Sequence, residues 1–253
     1  MVRGLDKFRD HFQRYEKNYV LIGGTASSLA MEEAGLEFRV TMDLDIVLCI
    51  EVLDADFVRV FWDFIRAGRY QNKQKSTGEN RFYRFYEPED KDFPEMLELF
   101  SRIPDALVYE GEGDFTPIPM EEEVSSLSAI LLDESYYKFL HTGKRDLDGL
   151  SVIDPERIIP LKARAWLDLT ERKGQGHAVD SRDIRKHKND VFRLYRVVSP
   201  DTRVEMPKQV GVDMSRFLSA METEHTDLKV LGYRGDTVEQ VLAGLKIIYG
   251  VDG

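Results

Sequence analysis

A run of apolar residues, Tyr19-Val20-Leu21-Ile22, halts at Gly23-Gly24. It passes into the helix-like segment TASSLAMEEAG and is followed by Asp43-Leu44-Asp45-Ile46-Val47-Leu48. A strand, a glycine turn, a short helix and a second strand are the makings of a sheet covered by helices. Successive side chains of a strand point to opposite faces, so Asp43 and Asp45 share one face and Leu44 and Ile46 the other. Two ionised carboxylates so placed repel each other, and burying them raises a pKa or costs free energy unless positive charge sits between them. A divalent cation meets that need, and an oxygen donor set without Cys or His favours magnesium or manganese. The plainer alternative pairs the acids with Arg39 or uses Asp43 as a turn cap.

The glycines add a second half to the site. A strand that ends in Gly23-Gly24 and opens a helix lets backbone N–H groups approach a ligand, and a helix N-terminus favours an anion such as phosphate. Thr25 adds a hydroxyl at the helix start. A phosphate cradle beside a metal-binding acid pair is how enzymes hold a magnesium-chelated triphosphate.

Along the rest of the chain, Phe8, Phe12 and Tyr15 in DKFRDHFQRYEK have helical spacing, and Gly35 closes the helix after Gly24. A strand is expected from Asp43 to Ile50. A helix follows, capped by Asp54 or Asp56 and closed by Gly68. RYQNKQK and NRFYRFYEP read as strands joined at a Thr77-Gly78 turn, and EMLELFSR as a third strand bounded by Pro94 and Pro104. Residues 105–125 read as an acidic loop, and SAILLDESYYKFL fits a strand, a helix or one leading into the other. From Pro155 the pattern is helical: Ile159, Ala163, Trp166 and Leu167 share a face, as do Ile184, Val191, Leu194 and Val198. Two more helices are expected near 212–223 and 236–248. The expectation is an α/β or α+β sheet domain over 1–153 and a helical domain over 154–253, with a soft boundary near Gly149 to Asp154.

The single cysteine, Cys49, excludes an intrachain disulfide, and five scattered histidines supply no ligand set for zinc. The N-terminal MVRGLDKFRDHF lacks a signal-peptide apolar core, and no run reaches the roughly 18 apolar residues of a membrane span. A cytoplasmic, membrane-free protein is expected. The formal charge is −11, but residues 157–196 carry eleven Lys/Arg against five Asp/Glu, a local balance of +6 that leaves −17 elsewhere. That stretch is either the solvated faces of surface helices or a surface that tracks phosphates.

IGGTA followed by RVTMDLDIVL resembles the nucleotidyltransferase fold of the DNA polymerase beta superfamily, and the form Arg39-x-Thr41-x-Asp43-x-Asp45 is most similar to its AbiEii-like branch, the toxin nucleotidyltransferases of type IV toxin–antitoxin systems. The resemblance implies an α+β fold, a mixed sheet flanked by helices with a helical domain after it. It implies transfer of an NMP from an NTP to an acceptor hydroxyl, with Mg2+ or Mn2+ held by Asp43, Asp45 and a third acid. Glu98, between leucines in MLELF, is the choice for that acid over Glu95 and Glu110. By the same resemblance, Gly23, Gly24 and Thr25 grip the β and γ phosphates, Arg39 and Thr41 share the acids' face, and Lys162 faces the triphosphate. The helix SRDIRKHKNDVFRL offers two registers, through Asp183 or Asp190, of which Asp190 is preferred. The acceptor in that branch is RNA, with tRNA 3' ends as a case, and a toxin would have a cognate antitoxin protein. A small molecule or protein acceptor, or an inactive interaction module, is the alternative.

Overall fold

The computed structural model describes residues 2–72, 82–100, 130 and 133–251. The expected Thr77-Gly78 turn, the acidic loop and Glu110 lie outside the described residues. Seven strands form one mixed sheet in the order β3-β4-β5-β2-β1-β7-β6. They are β1 (Tyr19–Leu21), β2 (Asp43–Leu48), β3 (Gln71–Asn72), β4 (Phe82–Tyr86), β5 (Met96–Phe100), β6 (Lys144–Leu147) and β7 (Leu150–Ile153). The pairs β2–β5 and β1–β7 are parallel and the others antiparallel. This is an α+β architecture, a mixed sheet flanked by helices.

The chain divides into two compact units. The first comprises 1–29, 39–124 and 144–153, and the second 30–38, 125–143 and 154–253. In the first, helices α1 (Leu5–Phe12) and α3 (Ala55–Gly68) cover the sheet face opposite the aspartates. The alternation in β2 explains why: Leu44 and Ile46 are fully buried on that side, with Leu97, Leu99 and Phe85 beside them on β5 and β4. Phe8, Phe12, Phe57, Phe61, Trp62 and Phe64 fill the layer with edge and tilted ring contacts, among them Phe12–Phe64 at 5.3 Å and Trp62–Phe85 at 5.6 Å. Aromatic burial of this extent is the main stabilising term of the unit.

Asp54 caps α3, accepting from the Phe57 N–H at 2.8 Å, so the first of the two expected caps is the one used. Helix α1 is shorter than its apolar spacing predicts and ends at Phe12, beyond which Tyr15 packs from a turn. The strand expected to reach Ile50 stops at Leu48, and residues Ile50–Val52 form a 3-10 turn.

The residues just before Asp154 form the hairpin β6–β7, turned by Asp148 (φ 51°) and Gly149 (φ 80°) and placed next to β1 through the Leu21–Val152 pairing. An Asp-Gly pair with both residues in the left-handed region is a strong hairpin signal. Of the ambiguous segment before it, the described part from Asp133 on forms helix α4 (Glu134–His141), capped by Asp133.

The second unit is helical: α4, α5 (Pro155–Gly174), α6 (Ser181–Tyr195), α7 (Lys208–Met221) and α8 (Val238–Tyr249). Ile159, Ala163, Trp166, Leu167, Val191, Leu194 and Phe217 are buried, and Trp166 meets Phe217 edge-on at 5.5 Å. Among the described residues no helix is long and apolar enough to cross a membrane.

Candidate active site

The site grows out of the strand register. Parallel pairing of β2 with β5 sets Asp45 opposite Glu98, and antiparallel pairing of β5 with β4 sets Glu98 opposite Arg84. Directly paired residues of neighbouring strands project from the same face. Asp45, Glu98 and Arg84 therefore form a row across three strands, on the face opposite the aromatic layer. Asp43, two residues before Asp45, stands half-buried on that same face.

Glu98 is only 7% exposed. Arg84 donates to its Oε1 from Nε at 2.8 Å and from Nη2 at 2.7 Å. Burial, and then the Asp45 carboxylate, push the Glu98 carboxyl up to about 8 although Arg84 pulls it down. Arg84 by itself does not bring the Glu98 carboxyl back to its ordinary range, and added positive charge on this face would lower it.

The glycines are placed against the acids. Helix α2 (Gly23–Glu33) begins directly after β1, and the Ile22 N–H donates to the Asp45 carbonyl at 2.9 Å, bringing the turn alongside β2. Gly23 has φ +63°, and a Cβ there would stand 1.8 Å from Asp45 Oδ2. The Gly24 N–H donates to Asp45 Oδ2 at 3.3 Å. A Cβ on Gly24 would meet Thr41 Oγ1 at 2.5 Å and Arg39 Nη2 at 3.5 Å. The two glycines are required because Asp45, Thr41 and Arg39 crowd the turn from the neighbouring chain segment.

The Thr25 hydroxyl, expected to face phosphate, is fully buried and donates to the Asp43 carbonyl at 2.7 Å, tying the helix start to the acid strand. The Ser27 hydroxyl donates to the Gly23 carbonyl at 2.6 Å. Alternation continues upstream of β2, where Val40 and Met42 are exposed on the other side from Arg39 and Thr41.

Lys162 and Asp190 form a separate cluster within the helical unit. Lys162 is 3% exposed and Asp190 fully buried, with Nζ and Oδ2 3.3 Å apart. Arg193 approaches Asp190 Oδ1 at 3.5 Å. Of the two registers of α6, the one through Asp190 is buried and Asp183 is exposed. Lys162 meets a carboxylate here, so a triphosphate contact from it requires an exchange of partner. The +6 stretch is partly consumed in the same way, since Lys188 is buried against Glu224 and Arg164 lies 3.8 Å from Asp213. Lys173, Arg185 and Lys186 are exposed.

Among the described residues no three His, Cys, Asp or Glu side chains are grouped closely enough to hold a metal ion as they stand. The donor chemistry nevertheless fits a hard divalent cation, because the acids that neighbour one another on this face are carboxylates only. Sequence reasoning reached Asp43, Asp45 and Glu98 but not Arg84. Its only trace is an arginine among the aromatic residues of RFYRFY, and its partner is fixed by pairing across strands.

No protein-family model matches the chain, and no curated protein matches it significantly. Among solved structures, it is similar to an antigenic nucleotidyltransferase-like protein from Paracoccidioides brasiliensis, at 13% identity and TM-score 0.48 over 96% of this chain and 90% of that one. It is also similar to the Megavirus polyadenylate synthase, at 12% identity and TM-score 0.40 over 87% of this chain. The match spans 36% of the synthase's length.

Proposed function

We propose that this chain is a nucleotidyltransferase that moves an NMP from an NTP to an acceptor hydroxyl, with release of pyrophosphate. The observation that carries the reading is the pairing of half-buried Asp45 with buried Glu98 beside Gly23-Gly24, two carboxylates on neighbouring strands next to a glycine-opened helix. Asp43, Asp45 and Glu98 would hold Mg2+ or Mn2+, which would neutralise the triphosphate and lower the pKa of the attacking hydroxyl. Asp45 would then exchange its contact with the Gly24 N–H, leaving that donor to a phosphate oxygen at the start of α2.

Arg39 and Thr41, gathered on Gly24, would neutralise and orient the phosphates, while Thr25 keeps the helix start fixed to β2 through the Asp43 carbonyl. In the transfer the acceptor oxygen bonds to the α phosphorus and the α–β bridging bond breaks. The electron pair leaves with pyrophosphate and the acceptor's proton goes to solvent or a carboxylate.

The acceptor we propose is RNA, such as a tRNA 3' end, and the role that of an AbiEii-like toxin with a cognate antitoxin in the cytoplasm. The support for both is the sequence resemblance across 19–50 together with the exposed cations Lys173, Arg185 and Lys186. The test supplies each α-labelled NTP with total RNA, protein and small acceptors, and then digests the product with nuclease or protease. Nuclease-sensitive label supports the reading. Protease-sensitive label moves the acceptor to a protein side chain, and label in neither fraction nor in a small product refutes transfer.

A further inference from the structure

Arg84 touches the third acid in a particular way. Its Nε and Nη2 both converge on Oε1 of Glu98, at 2.8 and 2.7 Å, while Asp45 pairs with Glu98 from the neighbouring strand. The three residues are direct cross-strand partners on β4, β5 and β2, so the backbone ladder fixes the row and leaves little to side-chain freedom. Glu98 is buried, and its arginine sits on the solvent side, where 35% of the side chain is exposed. A two-pronged guanidinium contact orients a carboxylate more tightly than a lysine ammonium can, because the fork is planar and pre-organised.

We propose that Arg84 is a positioning residue of the site: by holding Oε1 of Glu98 it leaves Oε2 as the oxygen through which the third acid would meet a cation. This inference rests on the reading of the carboxylate face as a cation site. Partners that orient a metal's ligands without touching the metal change affinity or activity by about 10- to 100-fold when removed. Arg84 has the geometry of such a partner.

The test titrates Mn2+ into the full chain with a non-hydrolysable NTP, following bound ion by electron paramagnetic resonance, in wild type, Arg84→Gln and Arg84→Lys. In Arg84→Gln we expect Mn2+ affinity to weaken by about 10-fold or more. Transfer should show kcat lowered to match while KM for the NTP stays within about twofold. Arg84→Lys keeps the charge without the fork and should restore stability but not Mn2+ affinity. It also serves as the readable variant if Arg84→Gln does not fold. Unchanged Mn2+ binding and kcat in both variants, with only a lowered Tm, would make Arg84–Glu98 an ordinary structural ion pair and overturn the proposal. Absence of Mn2+ binding in wild type would overturn the cation-site reading and this inference together, and so separates the two failures.

Discussion

The two units bury charge in opposite ways. In the helical unit each buried carboxylate is surrounded by cations or donors: Asp190 by Lys162 and Arg193, and Asp213 by Tyr136, Gln209, Arg164 and Arg216. In the sheet unit Asp43, Asp45 and Glu98 share a face on which Arg84 does not restore Glu98 to its ordinary range. Compensated charge of the first kind specifies packing, while a shortfall of the second kind leaves free energy to be released when a cation arrives. On this contrast the chemistry proposed here belongs to the sheet.

Variants can break that contrast. Asp190→Ala strips the partner from buried Lys162 and is expected to cost about 3–5 kcal/mol of unfolding free energy, read by denaturant titration. The double variant Lys162→Met/Asp190→Leu should recover most of it. If Asp190→Ala costs less than about 1 kcal/mol, the helical unit's ion pair is not the compensated pair described here. On the sheet side, Asp43→Asn/Asp45→Asn should leave stability unchanged or raise it and lower transfer by about 100- to 1,000-fold. A large loss of stability in that variant would mean the aspartates serve the fold.

Gly23→Ala sharpens the comparison because its Cβ would land on Asp45 Oδ2. The left-handed backbone alone costs about 1–2 kcal/mol, and displacement of Asp45 should lower transfer as well, measured as Tm and rate together. The smallest effect is in pH. The Glu98 carboxyl is raised from 4.5 to about 8 in the fold. Its contribution is whole below the unfolded value and is lost as pH rises through about 8, because the folded chain keeps a proton that the unfolded chain releases. Metal-free stability should therefore fall as pH rises from 5 to 8, and Glu98→Gln should flatten that slope. An equal slope in Glu98→Gln would place the titration elsewhere.

Much of this was legible in local pattern. Alternation in DLDIVL put both aspartates on one face, and the leucines around Glu98 marked it as a strand residue whose neighbours are buried. What pattern could not supply was pairing between strands distant in sequence. Arg84 lies fourteen residues from Glu98, and only the antiparallel register of β4 and β5 makes them partners. The β6–β7 hairpin has a local signal in Asp148-Gly149, but its place beside β1 rests on the Leu21–Val152 pairing between strands far apart in sequence. The inclusion of 30–38 and 125–143 in the second unit has no local signature, since it depends on contacts made after folding. For Lys162, an out-of-place lysine in an apolar helix was visible, but its carboxylate partner was not.

The central claim is that the carboxylate face is a cation and nucleotide site. Its most direct test is calorimetric titration of Mn2+ into the chain with a non-hydrolysable NTP present, for wild type beside Asp43→Asn/Asp45→Asn. Saturable binding in wild type that disappears in the double variant, with the fold of both intact by circular dichroism, is the predicted result. No Mn2+ binding in wild type, or equal binding in both proteins, would contradict it.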